Sequence, residues 1–485
     1  MCKKLVCLVS VVLVLGLVVD ASAVLKKGPY LLWPGTNTEM TVLWQLNSTT
    51  TCTLEWGLNT NYSTGSVQTS EYGGDNQHKY TISGLSPGTK YFYRVTAGAE
   101  QPTGSFRAAP SSSATAVKFL AYGDTRTNPD KHDLVAEEVV NTYQADSSYQ
   151  TMVLFTGDYT SSHSETAWTN EFFPTSYTNI RELQANLPIQ GALGNHELFW
   201  SPGGYKTESN MTIPPKYFPF PFEAWSYWSF DYGPALIIIA DQYAVGTYPN
   251  NTIGSTQLAW IENELSTSNR EWKFIVLHEP GYGGGQSSEN SEVMNYIQPL
   301  CEEYGVDIVF AGHHHHYARC VKNGIKHMTL GGGGAPLSGP EQKPGVEYRE
   351  MTYHFAKIEI DGTTLNFEAR KPDGSLIDSF SLYHAVDNDP PTPDPMTWAT
   401  VPYSTGATSI AMVATTASDS SGVEYFFNCV GGGHDSIWQD QTSYEDTALD
   451  PKTYCYEVKA RDKSPAQNET GVSSAELATT DALTT

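Results

Sequence analysis

The hydrophobic pattern divides the chain into three parts, and the first part alternates apolar and polar residues. Residues 28–108 contain short alternating runs such as EMTVLWQL (39–46) and KYFYRVTA (90–97), separated by Gly, Asn and Pro turns. A period of two buries one side of each strand and leaves the other side in water. This spacing predicts an all-β sandwich for residues 24–112, which ends at a Ser- and Ala-rich junction.

The central part has longer apolar runs that alternate with helical segments. The buried strands that we predict are VKFLAY, TMVLF, LPIQGAL, ALIIIAD, WKFIVLH and VDIVFAG. Strands that alternate with helices indicate a layered α/β domain, which we assign to residues 113–385. Ligands of such folds gather at the carboxyl ends of strands, so the residues that follow each strand are candidate site residues.

The last part begins with a Pro- and Asp-rich linker at residues 386–395. Residues 396–485, the C-terminal module, return to short strands with turns and predict a second β-sandwich that spaces or solubilises the protein. A chain of 485 residues is also too long for one ordinary core. The sequence therefore predicts a multidomain protein with a β-sandwich on each side of a layered α/β domain.

The N-terminal residues 1–23 are typical of a secretory signal. Lys3 and Lys4 precede an apolar run from Leu5 to Val19, and the small residues ASA end at Ala23. A run of about 15 apolar residues is shorter than the roughly 20 that a membrane span needs. We therefore expect a protein that is secreted, periplasmic or on the cell surface.

The charge of the chain limits its partners. Asp and Glu number 53 against 28 Lys and Arg, which gives a net charge of −25. Such an acidic chain repels nucleic acid and anionic membranes, so we expect neither as a partner. The sequence leaves the oligomeric state open.

The cysteines beyond residue 23 predict a disulfide. They are Cys52, Cys301, Cys320, Cys429 and Cys455. Because an oxidising compartment favours disulfides, we predict one between Cys429 and Cys455, which lie in two strand-like runs of the C-terminal module. Cys301 and Cys320 form a second candidate pair, which leaves Cys52 unpaired.

Polar clusters follow five strands of the central part. They are GDTR (123–126), GDYT (157–160), GNHE (194–197), VLHE (276–279) and GHHHH (312–316). Gly-Asp after a strand is also a common turn, and a single His usually has a structural role. Together, however, the clusters offer carboxylate, amide and imidazole donors at strand ends of one domain. Such a set suits two metal ions such as Zn, Mn or Fe.

The order of these clusters resembles the metallophosphoesterases. With GPYLLWP (28–34) and SGLSPGTKYFYRV (83–95), the chain resembles the purple acid phosphatase branch, whose N-terminal domain is fibronectin type III-like. The resemblance covers residues 28–384 and implies two sheets flanked by helices with a bimetal site at one edge. It implies a hydrolase of small phosphate monoesters that uses metal-activated water. The same core could instead cut phosphodiesters or nucleotides, or the chain could be an inactive binding or adhesive protein.

The resemblance also implies a role for each candidate residue. Asp158 would bridge both metals and His196 would act on the leaving group. The first metal position would be formed by Asp124, Asp158 and His315. The second metal position would be formed by Asp158, Asn195, His278 and His313.

The four consecutive histidines contain two of these ligands. Alternate residues of an extended segment lie on one side. His313 and His315 are therefore expected to face the metals, whereas His314 and His316 face away. The GHxH spacing of the family selects the same pair.

The chain departs from the family at the first metal position. Purple acid phosphatases carry a Tyr three residues after the bridging Asp, and this Tyr binds ferric iron and gives the colour. Here Ser161 stands at that position, while Tyr159 follows Asp158 directly. We therefore expect a colourless enzyme.

Three candidates could supply the missing ligand: water, Tyr159 or His132. Asn128 and Pro129 predict a helix N-cap and first turn, which would bring His132 beside the strand end of Asp124. Other metallophosphoesterases have a His at the position of Arg126. The planar guanidinium of Arg126 is a candidate phosphate contact.

Overall fold

The computed structural model describes residues 23–198, 213–222, 226–244, 252–286, 289–385, 387–464 and 466–480. The predicted signal sequence lies outside these residues except for Ala23. Across the described ranges, no helix combines the length and the apolar character that crossing a bilayer requires.

The N-terminal domain consists of two antiparallel sheets. Its strands are β1 (Leu25–Leu32), β2 (Met40–Leu46), β3 (Cys52–Gly57), β4 (Gly65–Thr69), β5 (Gln77–Ile82), β6 (Lys90–Thr96) and β7 (Thr103–Arg107). One sheet has the order β1-β2-β5 and the other has the order β4-β3-β6-β7. Burial alternates along β6, as its alternating sequence predicts. The predicted β-rich N-terminal domain is confirmed.

The central domain contains two larger sheets. Its strands are β8 (Ala116–Tyr122), β9 (Val153–Phe155), β10 (Ile189–Gly191), β11 (Trp228–Tyr232), β12 (Ala235–Ile239), β13 (Trp272–Val276), β14 (Ile308–Ala311), β15 (Tyr317–Lys322), β16 (Ile325–Leu330), β17 (Val346–Glu350), β18 (Phe355–Asp361), β19 (Thr364–Arg370) and β20 (Leu376–Tyr383). One sheet has the order β10-β9-β8-β18-β19-β20, and the other has the order β11-β12-β13-β14-β16-β15-β17. Each of the six runs predicted from the sequence overlaps one of these strands.

Short helices connect and cover the strands of the central domain. They are α1 (Pro129–Ala145), α2 (Glu165–Ala167), α3 (Thr178–Asn186), α4 (Asn195–Leu198), α5 (Ile213–Tyr217), α6 (Ser255–Thr267) and α7 (Gln298–Tyr304), with a 3-10 turn at Ser147–Tyr149 and π-helical turns at Trp168–Phe172 and Val293–Ile297. Asn128 is the N-cap of α1 and Pro129 is its first residue, as predicted.

The two central sheets pack face to face, and the polar loops after their parallel strands meet at one end of the pair. Phe119 of one sheet meets Phe274 of the other with ring centroids 5.9 Å apart. Neighbouring strands β8, β9 and β10 are parallel, and so are β12, β13 and β14. Because parallel strands end on the same side of a sheet, the loops after β8, β9, β10, β13 and β14 can meet at this end.

The C-terminal module is a smaller two-sheet structure. Its strands are β21 (Trp398–Gly406), β22 (Ser409–Ala414), β23 (Val423–Cys429), β24 (Ser443–Asp446), β25 (Thr453–Asp462) and β26 (Glu476–Thr479). The sheet orders are β21-β22-β24 and β23-β25-β26. The predicted order of a β-rich domain, an α/β domain and a second β-rich domain is confirmed.

The predicted disulfide between Cys429 and Cys455 is wrong. Cys429 lies opposite Tyr456 in the antiparallel pair of β23 and β25. Successive side chains of a strand point to opposite faces, so Cys455 and Cys429 are on different sides of the sheet. The thiols of Cys301 and Cys320 are buried and also free. Cys52 is unpaired, as expected.

Candidate metal centre

Three of the candidate ligands follow strands in an unusual backbone conformation. The φ angles of Asp124, Asp158 and His313 are +57°, +55° and +64°. A left-handed backbone is uncommon for residues other than Gly, and it concentrates at functional sites. In this structure it marks the turns after β8, β9 and β14, where the side chains of the three residues meet.

Two glycines allow the carboxylates to approach the neighbouring loops. A Cβ atom at Gly194 would collide with Oδ1 of Asp158, and one at Gly312 would collide with Oδ2 of Asp124. These glycines directly precede Asn195 and His313. The Gly of each motif therefore makes room for a carboxylate from another strand end.

The second metal position has four donor atoms that converge. Nε2 of His278 lies 3.0 Å from Oδ1 of Asn195 and 3.3 Å from Oδ1 of Asp158. Nδ1 of His313 lies 3.2 Å from Oδ1 of Asn195 and 3.3 Å from Nε2 of His278. Ligands about 2.1 Å from one ion lie roughly 3.0–3.4 Å from one another, so this donor set fits a metal ion.

The first metal position contains fewer donors. Oδ1 of Asp124 lies 3.5 Å from Nε2 of His315. Asp124 and Asp158 belong, with His278, to a buried group whose ligand atoms lie within 4.8 Å of one another. Nε of Arg126 donates to Oδ2 of Asp158 at 3.1 Å, and Nη2 of Arg126 lies 3.1 Å from Nε2 of His315. A guanidinium therefore joins two of the three expected ligands.

His196 lies beside the same centre. Its Nδ1 is 2.8 Å from the carbonyl oxygen of Ser161, and its Nε2 is 3.8 Å from Oδ2 of Asp158. The backbone N–H of His196 also donates to Oδ1 of Asp158 at 3.1 Å. The Nε2 edge of the ring therefore points towards the ligand cluster.

The four histidines point in two directions, and the segment that carries them is bent and not extended. The rings of His313 and His315 contact the donor cluster. The rings of His314 and His316 are buried and stack on each other with centroids 5.7 Å apart. Nε2 of His316 is 3.0 Å from the carbonyl oxygen of Gly283, which gives His316 a packing role.

The structure removes two candidates for the missing ligand. Nε2 of His132 is 3.2 Å from the hydroxyl of Tyr122, and its ring stacks on Phe172. The ring of Tyr159 stacks on Phe155 with centroids 4.3 Å apart, inside the same buried aromatic cluster. Both side chains face this apolar core and not the donor cluster, so His132 and Tyr159 are wrong as predicted ligands.

Several supporting residues were not found from the sequence. Glu197 is buried and accepts the backbone N–H groups of Asp158, Thr160 and Gly194. Gln242 accepts the N–H of His278 at 2.9 Å. The Glu of GNHE was a visible signal for Glu197, whereas nothing local marks Gln242.

Backbone carbonyls orient two of the candidate ligands. Nδ1 of His278 is 2.8 Å from the oxygen of Thr156, and Nδ1 of His315 is 2.7 Å from the oxygen of Pro336. A carbonyl oxygen can only accept, so Nδ1 carries the hydrogen and Nε2 keeps its lone pair for a metal.

Burial and nearby charges shift the pKa values in this centre. Burial lowers the pKa of His313, and it lowers that of His315 to about 4 with help from Arg126. Burial alone would raise the pKa of Asp158, but His278, His196 and Arg126 together lower it to about 2. Neutral His313 and His315 and an ionised Asp158 are the protonation states that metal binding requires of these three residues.

The fold and the donor set define a metallophosphoesterase. The calcineurin-like phosphoesterase family model matches residues 117–317, and the model of the purple acid phosphatase N-terminal domain matches residues 27–108. The chain thus combines a purple acid phosphatase N-terminal domain with a calcineurin-like phosphoesterase domain. This fold implies a centre of two metal ions.

Relatives with these domains are distant in sequence. A probable inactive purple acid phosphatase 27 of Arabidopsis thaliana is 26% identical over 366 residues, which is 63% of this chain and 57% of the relative. A purple acid phosphatase of Glycine max is 26% identical over 68% of this chain and 75% of its own length.

A solved purple acid phosphatase from yellow lupin seeds, PPD1, has the same fold. Its TM-score is 0.61 at 21% identity, and the match covers 75% of each chain. The matched region spans little more than half of the Arabidopsis relative, which is itself called probably inactive. The shared domains therefore do not by themselves assign an activity to this chain.

Proposed function

We propose that this chain is a metal-dependent phosphatase that hydrolyses small phosphate monoesters. The observation that carries the proposal is the convergence of Asp158, Asn195, His278 and His313, with donor atoms 3.0–3.3 Å apart. Buried polar groups are costly unless they are hydrogen-bonded or bind a ligand, so the convergence of four donor side chains supports a metal site. Zn, Mn and Fe all suit these ligands.

Metal ions bound at these positions would polarise the phosphoryl group and lower the pKa of a water molecule. Asp158, which has ligand atoms near both positions, is the proposed bridge. Asn195, His278 and His313 would complete the second position, and Asp124 and His315 would belong to the first.

Two further side chains would act on the substrate directly. The planar guanidinium of Arg126 faces the donor cluster and can pair with two phosphate oxygens. Because the Ser161 carbonyl holds Nδ1 of His196, only Nε2 can exchange a proton with the leaving group. We assign proton transfer or charge stabilisation at the leaving oxygen to this atom.

We also propose that the protein acts outside the cytoplasm on a small-molecule ester. The signal-like residues 1–23 support this location, and the acidic composition of the chain argues against nucleic acid and membrane partners.

The test is hydrolysis of p-nitrophenyl phosphate and of its bis ester by the purified protein loaded with Zn²⁺, Mn²⁺ or Fe. We expect turnover of the monoester and its loss in Asp158→Asn. Glu137→Gln, a change at an exposed position of α1, is the control and should leave turnover unchanged. A preference for the bis ester would indicate a phosphodiesterase, and no turnover of either ester would favour the inactive alternative.

A further inference from the structure

The two metal positions are unequal in this chain. The donor atoms of the second position lie at distances that one metal ion would set. At the first position, Asp158 Oδ2 and His315 Nε2 each lie 3.1 Å from a nitrogen of Arg126. The side chain of Arg126 is only 17% exposed and that of Asp158 is 1% exposed, so this ion pair is screened little by water.

A neighbouring acid holds the turn that carries Arg126. Oε2 of Glu171 accepts the backbone N–H of Thr127 at 2.8 Å. Thr127 has a φ of +76°, which is rare for a β-branched residue. Glu171 therefore stabilises a strained turn, and this turn directs the guanidinium towards Asp158.

The same acid turns Ser161 away from the first metal position. The backbone N–H of Ser161 donates to Oε2 of Glu171 at 2.7 Å, and its hydroxyl donates to Oε1. Ser161 therefore cannot replace the tyrosine that purple acid phosphatases carry at this place. Among the residues that the structure describes, Asp124, Asp158 and His315 remain as the candidate protein ligands there.

The guanidinium of Arg126 supplies the positive charge that a metal ion would supply at this position. It carries a permanent positive charge and several donors in a fixed fork, so one Arg can hold a carboxylate and an imidazole together. It can also attract phosphate from the same place. A metal ion at this position would have to displace Arg126 from Asp158.

We propose that the Arg126 guanidinium takes the place of the first metal ion in this chain. The protein then keeps one metal ion tightly, at the second position, and binds a second ion only in competition with Arg126. The inference rests on the proposed function only in treating these residues as a metal centre. Its test counts metal ions and does not depend on turnover.

The experiment measures zinc bound to the full-length protein. Metal-free protein is loaded with excess Zn²⁺ and dialysed, its zinc content is measured by mass spectrometry, and a calorimetric titration follows the second ion. We expect one zinc per wild-type chain and two per chain in Arg126→Met. The dissociation constant of the second zinc should fall at least about tenfold, since a charge-assisted hydrogen bond no longer competes.

Two controls assign each ion to its position. His278→Ala should remove the zinc that the wild type retains. His315→Ala should leave one zinc in the wild-type background and abolish the second zinc in Arg126→Met. If Arg126→Met does not fold, Arg126→Gln removes the charge but keeps a donor towards Asp158, and we expect it to bind two zinc ions as well.

Two results would overturn the proposal: wild-type protein that retains two zinc ions, or a neutral Arg126 variant whose second zinc binds no more tightly than in the wild type. An active phosphatase with two retained ions would leave the proposed function intact. An inactive protein that changes from one zinc to two would support the role of Arg126 and argue against the phosphatase.

Discussion

The backbone N–H of Asp158 donates to Oε2 of Glu197 at 3.0 Å, and this bond joins the loop after β9 to α4, which follows β10. Glu197 also accepts the N–H of Thr160 at 3.1 Å and that of Gly194 at 2.9 Å. Burial raises the pKa of Glu197 to about 8. The negative charge of Asp158 also raises this pKa, whereas the hydrogen bonds from the three N–H groups lower it. Glu197 therefore positions the proposed bridging ligand through the backbone of the loop that carries it.

We predict that Glu197→Gln destabilises the protein and weakens metal binding. The amide NH2 group of Gln would face a backbone N–H, and a buried donor without an acceptor costs about 1–3 kcal/mol. Urea unfolding should show this loss, and zinc titration should show weaker binding. Glu137→Gln on the surface of α1 is the matched control. Equal stability of the two variants would contradict the positioning role.

His313→Ala and His314→Ala should differ in metal binding. His313 contributes Nδ1 to the second metal position, whereas the ring of His314 packs against His316. Loss of a residue that only supports a ligand typically costs about 10–100-fold in metal affinity, and loss of a ligand should cost at least as much. We expect His314→Ala to retain its zinc after dialysis and His313→Ala to lose it. The same zinc loss in both variants would show that His314, like His313, contributes to the metal position.

Iron-loaded protein should lack an intense tyrosinate-to-iron absorption band. Ser161 stands where the family has its tyrosine, and the ring of Tyr159 is enclosed by Phe155, Trp168 and Phe172. A visible spectrum recorded after loading with ferric iron tests this. Such a band in the wild type that disappears in Tyr159→Phe would show that Tyr159 reaches the metal.

The ion pairs of His384 predict a pH-dependent stability. Its Nδ1 lies 2.7 Å from Glu271 Oε1 and its Nε2 lies 2.7 Å from Asp307 Oδ1. The hydrogen bonds to Asp307 and Glu271 raise the pKa of His384 to about 10, although burial opposes them. The ring also stacks on Trp272 with centroids 4.1 Å apart.

A His whose pKa rises on folding contributes stability below its unfolded pKa of about 6.5 and loses it as the pH approaches 10. His384→Gln should therefore be less stable than the wild type by about 1–3 kcal/mol at pH 6, and this difference should shrink towards pH 9.5. Urea unfolding across that range measures it. A difference that stays constant with pH would mean that packing on Trp272, and not the charge, is what the His provides.

Much of the fold was predictable because its signals are local. The apolar runs that became β8, β9, β10, β12, β13 and β14 are bounded by polar turns, and burial of both faces explains their composition. The candidate ligands were also predictable, because each follows a strand directly and parallel strands end at one edge of a sheet.

The errors arose where a side chain could point in more than one direction. His132 lies on the first turn of α1, as predicted, but its ring packs against Tyr122 and Phe172. Cys429 and Cys455 lie on neighbouring strands, but their register places them on opposite faces of the sheet. Position along an element follows from the sequence, whereas side-chain direction depends on what packs against it.

The sequence by itself determined the order of the domains, the strands of the central sheets and the residue types at their ends, because periodicity and chain order are local properties. Only the tertiary structure decided that Arg126 pairs with Asp158 and His315, that Glu171 turns Ser161 away and that Glu197 joins two ligand loops. These contacts join residues 10 to 189 positions apart in the chain. Packing of the two sheets brings such residues together, and a short stretch of sequence contains no information about contacts between residues so far apart in the chain.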